Sequence, residues 1–554
     1  MPTPLFLAPA VCGGAHMESL AEYLDLDSPI YLLPFEQGAS KRTAEGTAMR
    51  MIQAIRSIQP SGPYRIAGYA YGGILAYEIA TQLLGADDEV AFVGLIDCPY
   101  YSRFRELSHL NSGIRFDADT ERLFLPLLTS EQCGPPTPRG DRYPNLASGL
   151  EERIHNCQGP SQLYTGRDCC TREFHADALT LVRQRITAAI EYCALPIPIR
   201  IHLFVSAQFE QYNLTPPERL RKYLDWDSVL PKNQICLVSV EVADRSATRK
   251  PAIEFFGKSS SLKMEPAGES SLAEYTRNYY SLHLLKAGRF DRELILCVPG
   301  AGGSFTMFVD LVNSLDTPAA IYGIQPRGLD GLSLPHSTVS AAVEHYLRSI
   351  DHLTSNRPIH LIGHSFGGWI AFEMALRLHK RHQSVASVTM IDSESPFTHD
   401  SIIREYNATD VIMTWIDMIE LAVGRSLGVA HGNLSSLNEM EKRNLLHAVM
   451  VREALLPKRT TPDVLRGPLA AFGRSLRTIY TPDSIYPGPV HLVIADDPRL
   501  DDSANRLIQR NLERDWRKWA PDLRSTLGPG NHFSILKPPD VCTLADILCR
   551  QLGS

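Results

Sequence analysis

Short apolar runs that end in turn residues recur along the chain and alternate with amphipathic stretches. ELILCVPG, from Glu293, closes on Pro-Gly, as a buried parallel strand does where it reaches a turn. IHLIG, VASVTMID and PVHLVIA repeat the form, and between them GGWIAFEMALRLHK sets Ile370, Phe372, Met374, Ala375 and Leu378 at helical spacing. Strands alternating with helices predict an α/β fold, a mostly parallel sheet covered on both faces. From about 396 to 486 the alternation gives way to a long helical run that includes EKRNLLHAVMVREALLP. An insertion of that size over a strand end reads either as an active-site lid or as a helical packing layer with no gating role.

The same pattern occurs twice. SGPYRIAGYAYGGILAYEIATQLL, from Ser61, runs in frame with NRPIHLIGHSFGGWIAFEMALRLH, from Asn356. The offset is 295 at Ala70 and Ser365 (365 − 70) and again at Asp97 and Asp392 (392 − 97). LFLAPAVCGG, from Leu5, matches LILCVPGAGG, from Leu294, and IHLFVSA, from Ile201, matches VHLVIAD, from Val490. A repeat of this length is a whole domain, not a solenoid unit. The expected organisation is one domain over residues 1–245, a connector rich in Ser, Lys and Glu over 246–277, and a second domain over 278–554.

Composition agrees with two large α/β domains. The chain has 554 residues, 44% hydrophobic and 21% charged, which suffices for substantial cores. A net charge of −7 with no basic stripe argues against nucleic acid as a partner. No stretch reaches the length of a membrane span and the start lacks a secretory pattern, so a cytoplasmic protein with no membrane partner is expected. The eleven cysteines read as reduced thiols, mostly core filler. Cys157, Cys169, Cys170 and His175 are spaced poorly for a metal site, and none is expected.

Candidate chemistry concentrates in the second half. GHSFG, Gly363 to Gly367, fits the G-x-S-x-G elbow, in which a strand turns sharply into a helix and lifts a serine hydroxyl above the sheet edge. Ser365 is then the nucleophile. Serine needs a base to take its proton and a carboxylate to orient that base, in the chain order Ser, acid, His. His532, in the Gly-rich GPGNHFSIL, is the candidate base; the acid is Asp392 after VTMID, or Asp496 or Asp497 in IADDP, with Asp392 preferred because Asp97 stands in the same frame. Backbone N–H groups of Phe366 and Ala301 are the expected oxyanion donors. All these groups are protein groups, so no cofactor is implied.

The starts at Leu5 and Leu294, the GHSFGG elbow, the strand-end IDS and the terminal GNHFSIL together resemble the thioesterase domains of nonribosomal peptide synthetases and polyketide synthases. The resemblance covers both halves and implies two tandem α/β-hydrolase domains, each with a helical lid insertion. It also implies an acyl or peptidyl chain delivered on the phosphopantetheine arm of a carrier protein, transferred to Ser365 and released by water or an internal nucleophile. Asp392 would be the acid of the chain-terminating type. The chain begins close to its first strand, so it is expected to act in trans on a separate synthase, or to have been excised from the end of one.

The first half departs from the family pattern. Ala70 stands where the serine belongs, no histidine occurs between His202 and His283, and Asp244 falls where the base is expected. The first half therefore reads as a pseudo-thioesterase whose Gly13, Gly14, Gly68, Gly72 and Gly73 serve the fold, with carrier docking, substrate holding or covering of the second domain as candidate roles. An ordinary carboxylesterase or lipase and a non-catalytic scaffold are the competing readings of the whole chain.

Overall fold

The computed structural model describes residues 3–9, 28–34, 42–100, 184–206 apart from 186, 223–240, 279–289, 293–354, 357–396, 403–435 and 437–552. These carry two sheets in two compact units. The expected connector lies wholly outside the described residues, as do Gly13, Gly14, Asp244, Cys157, Cys169, Cys170 and His175.

In the first unit β1 (Leu5–Ala8), β2 (Ile30–Leu32), β3 (Tyr64–Tyr69), β4 (Val90–Ile96), β5 (Ile201–Ser206) and β6 (Ile235–Val240) form one sheet in the order β2-β1-β3-β4-β5-β6. Every pairing is parallel. Helix α1 (Ala44–Ile58) starts at Thr43, whose hydroxyl accepts from the Gly46 N–H at 3.0 Å and satisfies one of the open donors of the first turn. Helix α2 (Tyr71–Gly85) follows β3 directly and buries Ile74, Leu75, Ile79, Ala80 and Leu83.

The second unit holds β7 (Leu282–Lys286), β8 (Leu294–Val298), β9 (Ala320–Ile324), β10 (Ile359–His364), β11 (Val385–Ile391), β12 (Val490–Ala495) and β13 (Leu523–Gly528), in the order β13-β12-β11-β10-β8-β9-β7. Only β7 runs antiparallel, against β9 at the edge. Without it, the order repeats that of the first unit strand for strand. Residues of β8 point alternately to two cores: Leu296 and Val298 join one, Ile295 and Cys297 the other. Burial on both faces is why the run reads as unbroken apolar sequence.

Helices α3 (Val339–Thr354) and α4 (Phe366–Lys380) cover one face of this sheet, with α5 (Asp502–Trp516) contributing Trp516 to the same core, and α6 (Asp540–Leu552) covers the other. The insertion between β11 and β12 is helical, with helices over Ala408–Val423, Glu439–Arg452 and Arg466–Arg477. The first of these opens on a reciprocal Asn407–Asp410 capping box and stops at Gly424, at φ 71°. Trp415 meets Phe472 edge-on at 4.9 Å and holds the first and last insertion helices together.

Two devices recur in both units, with their residues on the central helix at the 295 offset and their partners nearly so. The buried Glu373 of α4 accepts from Tyr480 Oη at 3.0 Å and from Arg377 Nε at 2.9 Å. In α2, Glu78 accepts from Tyr192 Oη at 2.8 Å and from Gln82 Nε2 at 2.9 Å. Each tyrosine lies on the segment leading into the next strand, so the pair fastens the central helix to the incoming chain. Trp516 packs on Phe372 at 5.1 Å, and Trp226 on Tyr77 at 4.6 Å. The indole N–H of Trp226 donates to the Cys98 carbonyl at 2.7 Å, and that of Trp516 approaches the Ser393 carbonyl at 3.5 Å.

Two expectations need correction. Gly68 pairs with Ala8 and Gly363 with Val298, so sheet register sets Ala8 against Val298, one position away from the alignment of Leu5 with Leu294. Apolar runs match about equally well in either frame, whereas the register must put the right face inward. Of the described cysteines, Cys98 and Cys297 are buried, but Cys193, Cys236 and Cys549 are half-buried and Cys542 is exposed, so core filling accounts for only some of them. Among the described residues no helix is long and apolar enough to cross a membrane.

Candidate active site

Strand β10 ends at His364 and α4 begins at Phe366, which leaves Ser365 to make the turn at φ 54°, ψ −124°. A side chain at positive φ costs roughly 1–3 kcal/mol and persists only where the surroundings enforce it. Here the Ser365 N–H donates to the Ile391 carbonyl at 2.8 Å, and the Gly368 N–H closes the turn on the Ser365 carbonyl at 2.9 Å. A Cβ on Gly367 would stand 2.2 Å from the Val298 carbonyl oxygen, so only glycine lets α4 settle against the end of β8. Ser365 is half-buried, and its hydroxyl bonds to no described residue, His532 included.

Asp392 follows β11 as Ser365 follows β10, and the strands pair His364 with Ile391, so the two side chains start from adjacent strand ends. Asp392 also turns through positive φ, at 47°, with its N–H donated to the Val493 carbonyl at 2.7 Å. Its Oδ1 accepts from the Ala495 N–H at 3.0 Å, and its Oδ2 lies 2.6 Å from His532 Nδ1. Burial raises the carboxyl's proton affinity, but the hydrogen bond from His532, its charge and the Ala495 N–H outweigh burial and hold Asp392 below the ordinary carboxylate range. An ionised Asp392 only accepts, so Nδ1 of His532 is the donor, and in the neutral ring the lone pair falls on Nε2.

The loop bearing His532 is fixed by its own hydrogen bonds. Asn531 Oδ1 accepts from the Phe533 and Ser534 N–H groups, each at 3.0 Å, and Ser534 Oγ donates to Asp540 Oδ2 at 2.6 Å. The alternative acids stand elsewhere: Asp497 is engaged by Arg499, with Nη2 to Oδ2 at 2.6 Å, and Asp496 is exposed. The structure thus brings Asp392 and His532 together and leaves Asp496 and Asp497 away from the histidine.

The N–H groups of Phe366 and Ala301 donate to no described residue. Phe366 is the first residue of α4, where a helix leaves its N–H groups open and its dipole favours negative charge. Ala301 lies in the turn after β8, which is close to the elbow: a Cβ on Gly300 would be 3.2 Å from the Ser365 Cβ. A small cleft adjoins this turn, lined by Val298, Gly300, Phe366, Ile370, Tyr346 and, from the insertion, Ala471. The insertion packs onto the turn itself, since a Cβ on Gly302 would come within 2.8 Å of Phe472 Cβ and 3.2 Å of the Trp415 ring. Sequence reasoning did not single out His364, which is buried and donates Nε2–H to the His532 carbonyl at 2.9 Å. The signal available was Tyr69 at the same place in the first half.

The first unit keeps the same elbow backbone with alanine in place of the serine. Ala70 turns at φ 50° with its N–H on the Ile96 carbonyl at 2.9 Å, and Asp97 at φ 44° with its N–H on the Phe204 carbonyl at 2.9 Å. Gly72 meets the Ala8 carbonyl as Gly367 meets that of Val298, with a Cβ 2.4 Å away. A methyl group at 70 offers no nucleophile. Cys98 does not replace it, because burial and the adjacent Asp97 push its thiol far above the ordinary range and keep it protonated.

Residues 3–118 and 293–549, together more than half of the chain, match the model of one protein family, described as the thioesterase domain. A segment of 100 residues is 40% identical to an inactive atromentin synthetase of Paxillus involutus, covering 17% of this chain and 10% of that protein. Another of 157 residues is 36% identical to an atromentin synthetase of Tapinella panuoides, covering 27% and 15%. A segment of 108 residues is 32% identical to malpibaldin synthetase of Mortierella alpina, covering 20% and 2%. The matches therefore span only a small part of each synthetase's length. Among solved structures, the Vlm2 thioesterase domain aligns at 22% identity and a TM-score of 0.36, over 49% of this chain and 96% of that one. The NocB thioesterase domain from the nocardicin cluster aligns at 18% identity and a TM-score of 0.32, over 50% and 100%.

Proposed function

The chain belongs to the thioesterase-domain family, and from that premise we propose that its second unit is a serine thioesterase and its first a pseudo-thioesterase. The observation that carries the proposal is the Asp392–His532 hydrogen bond at 2.6 Å beside a serine held at positive φ. Nε2 of His532 takes the Ser365 proton as Oγ attacks the thioester carbonyl, and Asp392 stabilises the imidazolium that forms. The N–H groups of Phe366 and Ala301 receive the oxyanion. Collapse of the tetrahedral intermediate breaks the C–S bond, the imidazolium returns its proton to the departing thiolate, and the acyl group stays on Ser365. Water, or a nucleophile within the acyl chain, then repeats the sequence and frees the serine.

The acyl donor in this reading is a chain on the phosphopantetheine of a carrier protein, and the reaction is release by hydrolysis or macrocyclisation in nonribosomal peptide or polyketide biosynthesis. The names of the matched synthetases support a place in an assembly of that kind. No cofactor enters the scheme, since nucleophile, base and oxyanion donors all come from the protein.

The test is to incubate the protein and its Ser365→Ala variant with an acyl-phosphopantetheine-loaded carrier protein and follow both by intact mass. An acyl adduct on the parent, absent from the variant, is the expected result, and product mass separates acid from ring. An adduct that survives in the variant, or none on either, overturns it. Turnover of a simple oxyester as fast as the matched thioester would favour a general carboxylesterase.

A further inference from the structure

His364 lies between Gly363 and Ser365, and its side chain is only 2% exposed. Its Nε2 is 2.9 Å from the main-chain carbonyl oxygen of His532, and the two imidazole rings are 4.7 Å apart. A carbonyl oxygen accepts and cannot donate, so the proton sits on Nε2 and the lone pair on Nδ1. Nδ1 is buried without a partner, and the turn after β8 closes over it, with a Cβ on Gly300 only 3.1 Å away. An orphaned buried acceptor costs about 1–3 kcal/mol. An apolar side chain of similar size would avoid that cost and would forfeit the bond to His532. The first unit provides the contrast, because at the 295 offset Tyr69 replaces His364 in the half whose sequence lacks a histidine for the base.

We propose that His364 is a positioning residue, which clamps the loop carrying the base to the strand carrying the nucleophile through its bond to the His532 carbonyl. The inference rests on the assignment of Ser365 and His532 given above. Asp392 holds His532 by its ring and His364 holds it by its backbone, so the loop is anchored at two points and the free Nε2 keeps one position relative to the elbow. The clamp adds no charge: burial, then the neighbouring His532, lowers the His364 pKa to about 3 and keeps the ring neutral beside the imidazolium of the reaction.

The test compares the full chain with His364→Leu and His364→Gln, using two readouts that thermal stability alone does not move. One is the second-order rate at which a fluorophosphonate labels Ser365. The other is the downfield proton resonance of the His532 Nδ1–H held by Asp392. His364→Leu is expected to label about tenfold to a hundredfold more slowly, the scale expected for a small misplacement of a catalytic group, and to lose or broaden the resonance. His364→Gln, whose amide N–H reaches toward the same carbonyl, recovers most of both. If His364→Leu does not fold, His364→Asn, whose shorter amide stops short of the carbonyl, takes its place. Parental labelling with an intact resonance overturns the proposal, whatever the melting temperature. A parent that is not labelled at all overturns the nucleophile assignment instead, and the resonance alone then decides whether His364 positions His532.

Discussion

Asp392 Oδ2 stands 2.6 Å from His532 Nδ1, and the same carboxylate takes a second hydrogen bond from the Ala495 N–H. Changing Asp392 to Asn replaces an acceptor with an amide that can present N–H to the ring and favour the other tautomer, which removes the lone pair from the reacting nitrogen. Thioester turnover by Asp392→Asn should fall by roughly 10³- to 10⁴-fold with substrate binding little changed. Steady-state kinetics on a matched acyl thioester check this; a loss under tenfold would point to another acid.

Restoring a serine in the first unit should not restore chemistry. Ala70→Ser would place a hydroxyl on a backbone already bent to φ 50°, but the half has no histidine between His202 and His283 to activate it. Intact mass after fluorophosphonate treatment should show one adduct on both the parent and Ala70→Ser, and none on Ser365→Ala. A second adduct on Ala70→Ser would mean that another group acts as base.

Stability should fall on mild acidification. His364 has its pKa lowered from the ordinary 6.5 to about 3, so below pH 6.5 the unfolded chain binds a proton there that the native state refuses until about pH 3. This contribution is full above pH 6.5 and is lost progressively as the pH falls between the two values. Asp392, also lowered, adds a loss at still lower pH, below its ordinary 3.8. Thermal melts from pH 7.5 to about 4 should show the transition of the second unit falling with pH, with a shallower slope in His364→Leu. Equal slopes would count against a neutral buried imidazole.

Tyr480→Phe removes one donor from buried Glu373, and Tyr192→Phe removes one from Glu78. Each change should cost about 1–3 kcal/mol in its own unit, because the carboxylate keeps its desolvation and loses a partner. Denaturant unfolding of the two variants checks this, and Tyr480→Phe should leave the fluorophosphonate labelling rate within about twofold if the pair serves only to fasten α4.

Strands buried on both faces were legible, since β8, β10, β11 and β12 are nearly unbroken apolar runs. The edge strands were not. LRSTLG in β13 is buried only at its two ends, and LHLLK in β7 is never fully buried, so neither shows the signal of a central strand. Ser365, His532 and the preference for Asp392 came from order and offset, but the choice against Asp497 needed its pairing with Arg499, a contact that strand-end position cannot reveal. The tyrosine and tryptophan contacts to α2 and α4 join residues more than a hundred positions apart, and nothing in local periodicity encodes them.

Ala70 holds its left-handed turn with no hydroxyl to present. Alanine and serine make the same bend in the two units, so the bend answers to the passage from strand into helix and not to reactivity. The bend alone is therefore no sign of activity, which is read from the side chain that occupies the elbow and the groups paired beside it.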